Sequence, residues 1–330
     1  MLSRVADSIY WMSRYVERAE NVARFVDVNL NLMLDAAAGD QQWQPTVNTT
    51  GDHEDFAKRY GEATQEAALH FLTFDRENPN SIISCLRAAR ENARSVREII
   101  SSEMWLQLNK SYLMVNAAAA AEKQLESHHD FFSEIKLSSH LFTGVTDATM
   151  THDEPWHFCR LGRKLERADK TSRILDVKYY ILLRSVSDVG TAFDDVQWAA
   201  VLRSASAFEM YRKKHGRISP KAIAQFLLLD PEFPRAIRFC LDSARDSLHA
   251  ISGTPIGTFR TTAEKLLGQL CSDLAFTGVD DIFNAGLHEY LDELQSQMNR
   301  VANGIYETFF AKRMPSPTRQ RSQISRQTAG

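Results

Sequence analysis

The sequence predicts an all-α protein, a multi-helix bundle built from two internally duplicated halves. Two observations predict the helices: apolar residues recur at spacings of three and four, and the 330 residues include only 14 Gly and 9 Pro. A third observation predicts the duplication, because two long segments occur twice in the same order. A hydrophobic content of 44% and a charged content of 25% are typical of a globular protein with a large core.

The repeated segments keep charged residues as well as apolar ones. Residues 14–28 (RYVERAENVARFVDV) match residues 163–177 (RKLERADKTSRILDV) at seven of fifteen positions. Residues 71–90 (FLTFDRENPNSIISCLRAAR) match residues 226–245 (FLLLDPEFPRAIRFCLDSAR) at ten of twenty. The offsets of 149 and 155 indicate a unit of about 150 residues that occurs twice.

A looser third match sets the expected boundaries of the halves. The tetrad FTGV occurs at residues 142–145 and again at residues 276–279. We expect one half over residues 1–149 and a second over residues 150–311. Residues 312–330 contain five basic residues and no acidic one, which predicts a disordered basic tail.

The elements of the first half follow from periodicity and composition. An apolar stripe at i, i+3, i+4 and i+7 predicts a first helix over residues 4–38. Residues 39–54 are polar and contain Gly, Pro and Asn, which predicts a loop. A helix over residues 55–73 is expected next.

Proline and glycine predict where several other helices begin and end. Pro79 and Pro234 suit the first turn of a helix, where a missing N–H has no partner to lose. Gly144 and Gly278 are expected to end helices. The tripeptide Asp-Glu-Pro at residues 153–155 predicts the start of the long helix that carries the second copy of the charged segment.

The charged segment forms a polar helix face opposite the apolar stripe. At 100° per residue, Glu17 and Arg24 lie at the centre of this face, and acidic residues lie along one edge. The arginines kept in both copies offer planar forks that bind carboxylate or phosphate in two places. We therefore take this face as a candidate ligand or partner site. Its residues are Arg14, Glu17, Arg18, Arg24 and Asp27 in the first copy and Arg163, Glu166, Arg167, Arg173 and Asp176 in the second.

Three interpretations of the charged face stay open at this point. It could be a buried network between helices, a site for an anionic or peptidic ligand, or a solvated surface with ordinary salt bridges. Glu17 and Glu166 are weak candidates for paired acid–base carboxylates across a pseudo-two-fold axis. A neighbouring arginine keeps each of them ionised, which favours anchoring a ligand over general acid chemistry.

A second cluster of arginines occurs mainly in one copy. Its members are Arg87, Arg90, Arg94 and Arg97, spaced to share one helix face, and the second copy keeps one counterpart, Arg245. Stacked arginines need an anion opposite them. The acidic edge with Glu20 and Asp27 is the simpler partner, and a phosphate or a peptide carboxylate is the alternative.

The remaining composition excludes several functions. The chain has none of the GxGxxG, GxxxxGK[ST], HExxH or GxSxG motifs, so no cofactor or catalytic class is assigned. The four cysteines form no CxxC pair, and the His-His-Asp run at residues 128–130 lacks a metal-binding pattern, so we expect no metal. A net charge of −3 and no long apolar run predict neither a nucleic-acid nor a membrane partner and fit the cytoplasm.

Several long motifs resemble the bacterial alpha-E family, which is named for its Glu-Arg motif. They are MLSRVADSIYWMSRYVERAENVARFVDV, CLRAARENARSVREIISSEMW, FTGVTDATM and LGRKLERADKTSRILDVKYY, and the resemblance covers about residues 1–312. It implies an all-helical fold. It also implies circularly permuted ATP-grasp proteins and transglutaminase-like proteins as partners, in systems that form amide bonds on a peptide. This chain carries no ATP-grasp segment, so any ligase would act in trans.

Three functional hypotheses follow. The leading one is a non-catalytic helical partner that binds the ATP-grasp enzyme or holds its peptide, with the duplicated Glu-Arg faces and the arginine cluster supplying the charged contacts. The alternative is a peptide-modifying enzyme with a Glu/Arg-lined site between the halves. In the third hypothesis the Glu-Arg networks only hold the bundle together.

Overall fold

The computed structural model describes residues 1–35, 43–121, 127–182 and 192–311, and these residues are helical without a strand. The helices of the N-terminal part are α1 (Ser3–Asp35), α2 (Trp43–Thr50), α3 (His53–Tyr60), α4 (Gln65–Thr73), α5 (Ile82–Ser95), α6 (Ser102–Ala120) and α7 (His128–Thr149). Those that follow are α8 (Glu154–Leu182), α9 (Ala192–Ser204), α10 (Phe208–His215), α11 (Pro220–Leu229), α12 (Ile237–Ser252), α13 (Thr262–Phe276), α14 (Val279–Ala285) and α15 (Leu287–Ile305), with a π-helical turn at Tyr306–Phe310.

The two longest helices, α1 and α8, pack against each other at the centre of the fold. Helices α5 and α7 cover α1, whereas α12 and α15 cover α8. The short helix α2 lies on α8, and α9 lies on α1, so the N-terminal and C-terminal parts interlock. The all-α, multi-helix prediction is thereby confirmed.

Gly162 lies at a close approach of α8 to α1. A Cβ at this position would clash with the carbonyl oxygen of Tyr10, a buried residue of α1. Only a glycine lets the two backbones come this close. The close approach brings the charged faces of α1 and α8 within hydrogen-bonding distance of each other.

Two predictions about the N-terminal part were wrong. The expected loop over residues 39–54 contains α2, because Trp43 and Val47 are completely buried and their burial outweighs the weak helix propensity of the segment. The expected helix over residues 55–73 is two helices. Gly61, at φ 74°, ends α3, and the Thr64 hydroxyl caps α4.

The proline and glycine positions predicted the starts and ends of helices less well than expected. Pro79 and Pro234 precede the N-caps of α5 and α12 by two residues and so lie outside the first turn. Gly144 lies inside α7, whereas Gly278 lies between α13 and α14. The start of α8 at Glu154 is as predicted.

The third sequence match, the FTGV tetrad, does not occur in corresponding helices of the two halves. The first FTGV tetrad, at residues 142–145, lies within α7, which is the second helix after α5. The other, at residues 276–279, spans the end of α13, which is the first helix after α12. Two of the three sequence matches therefore remain as support for a duplication. The predicted basic tail at residues 312–330 lies outside the described residues.

Candidate functional site

The two Glu-Arg motifs pair with each other across the contact between α1 and α8. Arg167 donates from Nε and Nη2 to the two carboxylate oxygens of Glu17, at 2.7 Å each. Arg18 donates from Nε and Nη2 to the two oxygens of Glu166, at 2.6 and 3.0 Å. Each pair has the two-pronged geometry of a strong Arg–carboxylate interaction. We call these four residues the Glu-Arg clasp.

Glu166 binds further cations besides Arg18. Arg14 Nε donates to Glu166 at 2.8 Å, and the ammonium of Lys170 lies 3.9 Å away. Arg18 uses its remaining Nη1 to donate to Asn80 at 2.6 Å. Three cations thus surround one fully buried carboxylate.

Glu17 has different additional partners. Asn21 donates its amide to Glu17 at 3.0 Å, and Arg235 Nη1 lies 3.6 Å from the same carboxylate. Arg163, which holds the position of Arg14 in the second copy, has Asp147 as its carboxylate partner at 3.7 Å. The surroundings of the two carboxylates therefore differ although the central pairs match.

The carboxylates of the clasp are ionised at neutral pH. Glu17 is 2% exposed and Glu166 is completely buried. Burial raises the pKa of a carboxyl, but the charges of Arg167 and Arg18 outweigh it and hold the pKa of both groups below the ordinary value. A permanently ionised carboxylate cannot donate a proton, so this geometry disfavours both groups as general acids.

Glu20 joins α1 to the start of α12. Arg24 pairs with it on the same helix, and Arg235 Nη2 donates to it at 2.7 Å. Burial opposes ionisation, but Arg235 and Arg24 hold the pKa of Glu20 well below the ordinary value. Its Oε2 atom is buried and has no hydrogen-bond partner among the described residues.

The flank of the clasp on α8 resembles the flank on α1. Arg173 donates from Nε to both oxygens of Asp169 at 3.1 Å, and Arg24 on α1 likewise donates from Nε to Glu20 at 3.1 Å. Lys170 lies 3.4 Å from Asp169. The i, i+4 pairing expected from the sequence is therefore present on both helices.

Asp27 and Asp176 bind histidines of the covering helices. His129 Nδ1 lies 2.8 Å from Asp27, which also binds Lys136 Nζ at 2.6 Å. His288 Nδ1 lies 2.7 Å from Asp176. Sequence patterns assigned no role to these histidines, because their partners lie more than 100 residues away in the chain.

The arginine cluster of α5 does not face the acidic edge of α1, so its predicted partners, Glu20 and Asp27, were wrong. Arg90 stacks over two aromatic rings of α6 and donates to Asn109 at 2.7 Å. Arg94 pairs with Glu91 of its own helix. Arg87 is exposed, and Arg97 follows the end of α5 and stacks on Trp105. Arg245 pairs with Asp242 at 3.0 Å.

Arg235 is a component of the network that sequence reasoning missed. It contacts Glu20, Glu17 and Asn21 and is 6% exposed. A signal was present, because Arg235 and Asn80 occupy the same place in the second repeated segment. Both turn out to contact the charged faces.

The outer surface of α6 and α7 carries exposed leucines. We call Leu106, Leu113, Leu137 and Leu141, which are 53–67% exposed, the leucine face. A groove lined by Lys110 and Glu134 runs between the two helices. Exposed apolar side chains gathered on two neighbouring helices mark contact sites more often than single exposed residues do.

Comparison with known proteins identifies a family for the chain but gives no activity. A family model described as a predicted alpha-helical domain with a conserved ER motif matches residues 1–310. An uncharacterized protein of Mycobacterium bovis is 23% identical over 342 residues, and one of Mycobacterium tuberculosis H37Rv is 22% identical. No solved structure matches the chain.

The matched proteins are longer than this chain. The alignment covers 95% of this chain but 37% of each mycobacterial relative, so the chain spans little more than a third of their length. In those relatives the matched segment is one part of a larger polypeptide. None of the described helices of this chain is long and apolar enough to cross a membrane.

Proposed function

Because the chain belongs to the Alpha-E family, we propose that it is a non-catalytic helical partner in an ATP-grasp peptide ligation or modification system. One observation carries the proposal: the residues that name the family bind each other inside the protein. Glu17, Arg18, Glu166 and Arg167 direct their paired hydrogen bonds to each other, and the remaining Nη1 of Arg18 donates to Asn80 inside the protein. The clasp is thus a structural device, and contact with a partner falls to another surface.

We further propose that the two halves arose by duplication. Matching helices support this: the four buried positions of α6 recur in α13, and five of the six buried positions of α7 recur in α15, both at an offset of 159 residues. An ion pair between Arg59 and Asp75 has a counterpart between Lys214 and Asp230, at an offset of 155. The reciprocal clasp is what two related halves packed about a pseudo-two-fold axis would form.

The leucine face is our candidate for the partner contact. At the offset of 159, its four positions correspond to exposed polar or charged residues on α13 and α15, which are Lys265, Ser272, Ser296 and Arg300. The fold therefore does not require leucine at these places. A partner that presents apolar side chains, such as the ATP-grasp protein, would cover them and gain about 25 cal/mol for each Å² of apolar surface removed from water.

Co-purification tests this proposal. The tagged chain is co-expressed with the ATP-grasp protein of the same genome, and the recovered complex is quantified. We expect Leu113→Lys with Leu137→Lys to abolish recovery, and the matched double variant Ser272→Lys with Ser296→Lys on the corresponding surface of α13 and α15 to retain it. Equal recovery with both variants would contradict the leucine face as the contact.

The same preparation tests the role itself. If the wild-type chain recovers no ATP-grasp or transglutaminase-like protein, the partnership is wrong. If the purified chain alone turns over a peptide substrate, the alternative of a peptide-modifying enzyme replaces the non-catalytic role. Circular dichroism of each variant shows that the helices are intact.

A further inference from the structure

We propose that Asp176, His288 and Asp292 bind a divalent transition-metal cation such as Zn²⁺ at the contact between α8 and α15. One ligand atom from each residue lies within 4.8 Å of the others. His288 Nδ1 is 2.7 Å from Asp176, and His288 Nε2 is 3.6 Å from Asp292. The cluster is separate from the Glu-Arg clasp and from the leucine face.

The corresponding cluster on α7 shows what the α15 cluster replaces. There, Asp27 binds His129 and the ammonium of Lys136, which lies 2.6 Å from the carboxylate. His288 corresponds to His129 at the offset of 159 by which α7 and α15 align. A fixed lysine cation thus completes the α7 cluster.

The α15 cluster lacks the lysine and has an additional aspartate at a different position. Gln295 stands at the position of Lys136, and Asp292 stands at the position of Ser133. The exchange removes one positive charge and adds one negative charge beside the same Asp–His pair. Among the described residues, Arg173 is a cation that acts on Asp176, and it is bound to Asp169. A bound cation would restore the balance that Lys136 provides on α7.

The ligand atoms suit a transition metal. An imidazole nitrogen with two carboxylate oxygens is a donor set found with Zn²⁺ and its neighbours, whereas Ca²⁺ and Mg²⁺ prefer oxygen alone. Bonds of about 2.0–2.2 Å place neighbouring ligand atoms of a tetrahedral site roughly 3.4 Å apart. One imidazole gives an ion a single nitrogen, and the one ligand atom taken from each of the three residues lies within 4.8 Å of the others. Rotation of the His288 ring and of the Asp292 side chain would bring the three ligand atoms to that spacing.

The side chains of Asp176 and Asp292 differ in how freely they can move. Asp176 is buried and fixed between helices, whereas the Asp292 side chain is 62% exposed, one turn after His288 on the same helix face. Asp292 can therefore move to meet an ion that arrives from solvent. The open side leaves room for water as a further ligand.

Isothermal titration of Zn²⁺ into the tag-free, chelator-treated full chain tests the site. We expect one equivalent to bind with a Kd in the micromolar range or below. Asp292→Asn changes an exposed side chain, so it should leave folding intact and weaken Zn²⁺ binding at least tenfold; His288→Ala should abolish binding. The matched variant His129→Ala in the α7 cluster should bind Zn²⁺ as the wild type does.

A spectroscopic readout distinguishes this site from weak surface binding. Co²⁺ bound by nitrogen and oxygen ligands in a tetrahedral site gives visible absorption bands, which we expect in the wild type and not in His288→Ala. The proposal is overturned if no saturable Zn²⁺ binding tighter than about 100 μM is found, or if Asp292→Asn and His288→Ala bind Zn²⁺ as tightly as the wild type.

Discussion

Replacing Glu166 by glutamine is the sharpest test of the energetics of the clasp. The substitution keeps the size of the side chain and removes one negative charge. Arg18 donates two hydrogen bonds to this carboxylate, Arg14 donates one, and Lys170 lies 3.9 Å away. The side chains of these three cations are only 6–15% exposed, so water cannot replace the lost charge well.

The expected magnitude follows from this burial. Removing one partner of a buried ion pair leaves uncompensated charge and typically destabilises a protein by about 3–5 kcal/mol. We expect Glu166→Gln to lower the free energy of unfolding by that amount at pH 7. With a urea m-value near 3 kcal/mol/M, the midpoint should fall by about 1–1.7 M. Helical circular dichroism followed through a urea titration measures it.

An exposed pair supplies the control. Glu293 and Arg300 lie 2.8 Å apart on the surface of α15, and their side chains are 59% and 56% exposed. Glu293→Gln should change the free energy of unfolding by less than about 1 kcal/mol, because solvent screens such pairs. If Glu166→Gln has an effect as small as the control, the idea of a stabilising clasp is refuted.

Three further perturbations probe the packing around α1 and α8. The pKa of Glu17 and Glu166 is lower in the folded chain than the ordinary 4.5. The stabilising contribution of these carboxylates should therefore be complete above about pH 4.5 and decrease as the pH falls below it. Urea midpoints from pH 7 to pH 3 measure this, and unchanged midpoints would contradict it. Burial lowers the pKa of Lys164 from 10.5 to about 8, so protonated Lys164 destabilises the fold below pH 8 and stability should rise between pH 8 and 10.5. Lys164→Met should remove that rise and stabilise the protein by about 1–3 kcal/mol at pH 7, and a loss of stability would contradict the burial argument. Gly162→Ala should lower the melting temperature through its clash with α1, by an amount equivalent to about 2 kcal/mol or more of stability. Gly268→Ala, in open space within α13, should instead increase the stability by about 0.5–1 kcal/mol. Equal effects of the two variants would show that α8 does not approach α1 so closely.

The sequence was a good guide to the polar face and left its burial open. The helical angles placed Glu17, Arg24 and Asp27 on one side of α1, and the structure has them there. An apolar stripe elsewhere on the helix suggested that this side could face water. It is buried because α8 brings a face with the same charge pattern, and only the packing of two distant segments creates the complementarity.

Other features depended on contacts that lie far apart in sequence. Helix α2 forms because Trp43 and Val47 are buried and the helix packs on α8. Local helix propensity does not predict such burial. His129 and His288 acquire partners only when α7 and α15 cover the central helices. Periodicity within a segment therefore predicted the long helices, whereas the partners of their charged groups required the tertiary structure.

A pair of double-mutant cycles tests the reciprocal clasp most directly. One cycle combines Glu17→Gln with Arg167→Met, and the other combines Glu17→Gln with Arg18→Met. We predict a coupling energy of about 2–3 kcal/mol for Glu17 with Arg167 and less than about 1 kcal/mol for Glu17 with Arg18, its neighbour in the motif. Stronger coupling to Arg18 than to Arg167, or no coupling to either, would contradict the pairing of the two motifs across α1 and α8.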